Sequence, residues 1–128
     1  MSKEQKENKM PRLLINCTHG KEDPERATLP FIVGNVAASA DQEAVVLLTI
    51  EGVRNATKGY ADAICKEGFQ PLKEVMQSFV ANGGQIWACG ACAKPRGISE
   101  SDMVNGAKIV SAASVVEWLA SGASSLSF

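Results

Sequence analysis

Two cysteines stand close together in the segment Cys89-Gly90-Ala91-Cys92-Ala93-Lys94-Pro95-Arg96-Gly97. A thiol attacks as its thiolate, and nearby positive charge or backbone N–H groups favour that form. The segment offers both, because Gly90 permits a tight turn and Lys94 and Arg96 follow closely. The same cations would stabilise an anionic sulfur adduct, such as a persulfide, carried on the thiol. Pattern alone leaves two blander readings open: half of a zinc site, or two inert thiols in a turn.

Cys17 and His19 form a second candidate pair near the start of the chain. A lone strand cysteine is commonly a small buried hydrophobe, and a loop histidine is commonly solvated or locally bonded. Together with Cys89 and Cys92 the pair could also complete a zinc site of three thiolates and one imidazole. Glu51 follows an apolar run and precedes a glycine. It could orient a lysine or arginine near the cysteine loop, or simply cap the next helix. Cys65 has no reactive neighbours and reads as structural. Trp87 and Trp118 read as core or subunit-interface residues. No dinucleotide fingerprint, Walker motif or nucleophile elbow occurs.

These residues need elements to hold them. Leu13 to Cys17 reads as a first strand, and Asp23-Pro24-Glu25 as a helix start with a capping acid and a proline at the first helical position. Helical spacing continues to about Ala40, with Pro30 expected to kink the helix or shift its start. Ala44 to Ile50 is continuously apolar, the mark of a parallel strand covered on both faces. A short helix is expected around Tyr60 to Cys65, and a longer one opens at Pro71 and stops at Asn82-Gly83-Gly84. Gln85 to Cys89 is a third strand running straight into the cysteine loop. Ser99 to Gly106 reads as one short helix, Lys108 to Ala112 as a fourth strand, and Ser114-Val115-Val116-Glu117 as the capping box of a last helix. Leu126 to Phe128 could add an edge strand.

Strands alternating with helices predict an α/β fold, a three-layer α/β/α sandwich around a mainly parallel sheet of four to five strands. Ligands of such sheets bind beyond the carboxyl ends of the strands. Here those ends supply Cys17-Thr18-His19, Glu51-Gly52, Cys89 to Gly97, and Ala112-Ala113-Ser114.

Composition excludes several classes. With 13 basic against 14 acidic residues, there is no electrostatic footprint for nucleic acid or an anionic membrane. No apolar run is long enough to span a bilayer. Residues 1–10 read as a disordered polar tail without a secretory signal, and residues 11–128 as a single domain. Four cysteines without an export signal point to a reducing, cytoplasmic setting.

Three segments resemble the DsrE/DsrF-like family. They are Thr18 to Arg26, Leu48 to Val53 through Lys58-Gly59, and Gly83 to Cys89 followed by Arg96-Gly97. The last is the most specific, because the family's sulfur-binding cysteine ends this strand seven residues before the Arg-Gly pair. The resemblance implies intracellular sulfur transfer, with Cys89 accepting a sulfane sulfur and passing it to an acceptor thiol. It implies a homo-oligomer, commonly a trimer or hexamer, meeting donor and acceptor proteins and needing no cofactor. Many members carry only the first cysteine, so Cys92 opens a second route through a Cys89–Cys92 disulfide. In this reading Cys89 and Cys92 do the chemistry, and Lys94, Arg96, His19 and Glu51 give electrostatic and binding support. A dithiol redox module and a zinc-stabilised subunit without turnover stand as alternatives.

Overall fold

The computed structural model describes residues 11–128, so the polar segment 1–10 lies outside the described residues. Five strands form one sheet: β1 (Arg12–Cys17), β2 (Glu43–Leu48), β3 (Gln85–Cys89), β4 (Ala107–Val110) and β5 (Ser124–Ser127). Their order is β4-β3-β2-β1-β5, and every pairing is parallel. Four helices complete the fold: α1 (Pro24–Ser39), α2 (Leu72–Ala81), the short α3 (Gly90–Ala93) and α4 (Ala112–Ala120).

Side chains alternate across a strand, so a doubly covered strand must be apolar on both parities. In β2, Ala44, Val46 and Leu48 join the larger core with Phe31 and Phe79 of α1 and α2. Val45 and Leu47 join a smaller cluster on the other face, with Leu14, Trp87 and Val110, packed against Val115, Trp118 and Leu119 of α4. The expected three-layer α/β/α sandwich is therefore present. Among the described residues, no helix is long and apolar enough to cross a membrane.

Several element boundaries differ from expectation, each for a physical reason. Asp23 caps α1 by accepting from the Arg26 N–H, so Pro30 does not shift the helix start; it sits buried inside the helix. Strand β2 ends at Leu48 because Ile50 takes a left-handed φ of 56° and starts a 3-10 turn, Ile50–Ala56. The expected helix near Tyr60 is a single 3-10 turn, Ala61–Ala63. Ser99 to Gly106 is not one helix. Ser99 and Asp102 cap a 3-10 turn, and Met103 then bridges to Thr57 in extended form. Ala112 belongs to α4 rather than β4, and Ser111, not Ser114, caps that helix by accepting from the Ser114 N–H.

Candidate functional site at the carboxyl edge of the sheet

Strand β3 carries Ile86 and Ala88 into the larger core and ends at Cys89, the N-cap of α3. Rigid burial of the strand fixes where the thiol emerges. Cys89 and Cys92 are both free, half-buried and packed at the rim of the larger core. Cys92 lies within the four-residue α3, and Lys94 beyond it is exposed. After the 3-10 turn Lys94–Arg96, Gly97 adopts a left-handed φ of 69° and returns the chain so that Ile98 is buried. The Arg-Gly pair thus has a local cause, because a residue with a Cβ is strained at that turn.

Arg96 is committed rather than free. Its Nε donates to Glu51 Oε1 at 2.8 Å, and its Nη1 donates to the Cys92 carbonyl at 3.1 Å. Arg54 Nε donates to the other oxygen, Glu51 Oε2, at 3.0 Å. Glu51 makes no helix-capping bond, so it orients two arginines instead. The bond from Arg96 is the main cause that holds its carboxyl below the usual range; partial burial opposes this, and Arg54 adds to it. Gly52 makes the close approach to β1 possible, since a Cβ there would lie 2.2 Å from the Cys17 carbonyl oxygen. The Gly52 N–H donates to the Thr18 carbonyl at 3.2 Å.

Cys17 has a different environment. It is fully buried, its thiol facing the carbonyls of His19 (3.6 Å), Arg26 (3.8 Å) and Ala27 (3.9 Å). Pro30 has no N–H for the Arg26 carbonyl one turn back, and the Cys17 thiol lies beside that carbonyl. Burial pushes the thiol pKa up to about 12, against smaller lowering effects from the His19 backbone and Asn55 bonds. Asn55, also fully buried, donates to the His19 carbonyl at 2.9 Å and approaches Cys17 Sγ at 3.6 Å.

His19 Nδ1 lies 2.8 Å from Thr18 Oγ1, whose single hydrogen goes to the Phe128 carbonyl at 3.0 Å. The imidazole therefore donates from Nδ1, which leaves Nε2 as an acceptor on the neutral ring. β1 and β3 are separated by β2, which puts about 10 Å of sheet between their backbones. Among the described residues, no three His, Cys, Asp or Glu side chains are grouped to hold a metal. The Cys17/His19/Cys89/Cys92 zinc set is thus not assembled. Cys65, expected to be structural, is exposed in the irregular segment after the Ala61–Ala63 turn and is not among the core residues.

The sequence reading missed Arg54 and Asn55. Arg54 could have been found from its i,i+3 spacing to Glu51 on a helical turn. Asn55 had no signal, because its partners lie 36 and 38 residues away. A cavity of about 530 Å³, lined by Lys58, Met76, Val80, Ile86 and Val104 among others, opens toward the start of β3 rather than at the thiols.

Comparison with known proteins agrees with this architecture. The chain is 28% identical to the uncharacterized protein MJ0760 of Methanocaldococcus jannaschii over 111 residues, which is 87% of this chain and 40% of that protein. It is 29% identical to the uncharacterized protein MK0008 of Methanopyrus kandleri over 95 residues, 74% of this chain and 75% of that one. The fold is similar to YchN of Escherichia coli, with a TM-score of 0.78 at 17% identity, covering 93% of this chain and all of YchN (100%). It is also similar to MTH1491 of Methanobacterium thermoautotrophicum, with a TM-score of 0.67 at 15% identity, covering 92% of this chain and 99% of that one. The profile of the DsrE/DsrF-like family matches residues 12–128, the five strands and four helices together, and the chain belongs to that family, which is associated with sulfur relay.

Proposed function

We propose that the chain is a cytoplasmic sulfur carrier with sulfurtransferase-type chemistry at Cys89. The observation that carries this reading is a free, half-exposed thiol at the end of a buried strand, with a second free thiol one short helix later. The Cys89 thiolate attacks the outer sulfur of a donor persulfide, R–S–SH. The donor S–S bond breaks, the electron pair leaves as the donor thiolate, and Cys89 carries the new persulfide. An acceptor thiolate then takes the terminal sulfur and restores the Cys89 thiolate. Cys92 can act on the same adduct from within the protein, which keeps a dithiol–disulfide cycle as the second reading. Lys94 supplies an exposed positive charge close to the turn, and His19 offers an acceptor nitrogen farther along the sheet edge.

Self-association fits the same reading. Helix α4 leaves Val116 64% exposed on the thinner face of the sheet, and the edge strand β5 leaves Leu126 46% exposed on the opposite face, in register with Ile15. A trimer or hexamer burying one or both of these apolar positions is expected, and light scattering at micromolar concentration showing a monomer would remove it. The central test is intact mass after incubation with inorganic polysulfide. A gain of roughly 32 Da that maps to Cys89 is expected. No gain in the native protein would overturn the carrier reading.

A further inference from the structure

The bonds around Glu51 form a series. Arg54 Nε holds Glu51 Oε2, Glu51 Oε1 holds Arg96 Nε, and Arg96 Nη1 holds the Cys92 carbonyl. The last turn of a helix leaves carbonyls without backbone donors, and in the four-residue α3 the Cys92 carbonyl is met by this arginine. The base of the series is fixed to the sheet. Thr49 N–H donates to the Cys17 carbonyl at 3.0 Å, and Gly52 N–H donates to the Thr18 carbonyl. Between them Ile50 is held at a φ of 56°, which β-branched residues rarely adopt. Strain of this kind persists only where surrounding contacts over-determine it.

We infer that Arg54, Glu51 and Arg96 form a strut that fixes Cys92 relative to Cys89, with Arg54 a positioning residue that acts only through Glu51. The inference rests on the loading of Cys89 in the sulfur-carrier reading and concerns the intramolecular route by which Cys92 acts on that persulfide. The Cys92 thiolate attacks the Cys89 sulfur of the persulfide. A Cys89–Cys92 disulfide forms, the bond to the terminal sulfur breaks, and the electron pair leaves with that sulfur as hydrosulfide. No external oxidant is needed, because the sulfane sulfur is reduced as the two thiols are oxidised. Such an intramolecular attack depends steeply on alignment. Loading of Cys89 from a donor in solution does not require Cys92 to be aligned.

The experiment loads the reduced full chain with inorganic polysulfide, removes excess donor, and follows hydrosulfide release and disulfide formation in a single turnover. Arg54→Gln is expected to slow release about tenfold while loading falls no more than about twofold. Arg54→Lys, which keeps a cation, is expected to recover most of the release rate. In a Glu51→Gln background, Arg54→Gln is expected to add no further slowing, since one break already cuts a series. Equal slowing of loading and release by Arg54→Gln, or additive effects of the two substitutions, would overturn the strut. So would unchanged release in a folded Arg54→Gln variant. Native protein that loads but never releases hydrosulfide would overturn it while leaving the carrier reading standing. Native protein that does not load would overturn both.

Discussion

β1 and β3 each end in a cysteine, yet the two thiols sit in opposite surroundings. Cys17 is enclosed beneath α1, faces three carbonyls, and has its pKa pushed up to about 12. Cys89 emerges half-buried at the head of a short helix, with a second thiol and an arginine-held turn beside it. Both strands deliver a sulfur to the carboxyl edge of the sheet. Reactivity then depends on whether the next segment covers the thiol or leaves it open. The covering of Cys17 comes from the 3-10 turn Ile50–Ala56, through Asn55, and from the proline-bearing first half of α1.

The largest effect should separate the two cysteines directly. Cys89→Ser is expected to lower polysulfide loading at least 100-fold, whereas Cys17→Ser should load within about twofold of the native protein. Mass spectrometry of each variant checks this. Loading that follows Cys17 would reverse the comparison.

Next in size is the polar group that closes the Cys17 side. Asn55→Ala removes a buried donor and leaves the His19 carbonyl without it, at a cost of about 2–3 kcal/mol in unfolding free energy. Urea denaturation measures it. A loss below about 0.5 kcal/mol would mean that the loop after β1 does not depend on Asn55.

The raised pKa of Cys17 makes a third prediction, at alkaline pH. The folded thiol holds its proton to about pH 12, while its unfolded counterpart releases it near 9.0, where a free thiol ordinarily titrates. The folded state therefore binds more protons above pH 9, and stability falls as pH rises toward the folded pKa. The slope approaches ~1.4 kcal/mol per pH unit, or about 2 kcal/mol by pH 10.5. Cys17→Ala should flatten that part of the curve. Parallel curves for the two proteins between pH 9 and pH 10.5 would show that Cys17 is not closed off. At the acid end the sign is opposite. Glu51, Asp23 and Asp102 titrate lower when folded, so what they contribute is present above the ordinary carboxylate range and fades as pH falls.

Much of this contrast was legible in the sequence on the Cys89 side and little of it on the Cys17 side. The apolar run ending in Cys89, the C-x-x-C spacing and the Arg96-Gly97 pair are local signals, and the parallel sheet follows from continuous strands such as Ala44 to Leu48. The cover over Cys17 is assembled from contacts across the chain. Asn55 reads as an ordinary loop residue until β1 lies beside it, and Pro30 reads as a helix breaker although the helix continues through it. Ser114 and Glu117 have capping-box spacing, but Ser111 reaches the N–H groups first. Ile50 reads as the last strand residue by type. Its left-handed backbone comes from the need to bring Gly52 against the Cys17 carbonyl, which only the folded sheet imposes.

Ile50 also gives the smallest and most discriminating prediction, because it lies on the segment between the two thiols. Its φ of 56° is costly for a β-branched side chain, and that side chain is 53% exposed, so little burial is lost on removing it. Ile50→Gly relieves left-handed strain of about 1–2 kcal/mol. Against this, glycine loses about 0.5–1 kcal/mol more conformational entropy on folding. The net expectation is a gain of roughly 0.5–1 kcal/mol in unfolding free energy, read by urea denaturation. The same variant loosens the base from which Glu51 reaches Arg96, so the reactivity of Cys92 toward a thiol reagent should change while Cys17 remains protected. If Ile50→Gly destabilises the protein by more than about 1 kcal/mol, Ile50 is a packing residue and not a strained hinge. If it stabilises the protein and alters both thiols alike, the two sides of the sheet edge are coupled and the contrast between them is weaker than their burial implies.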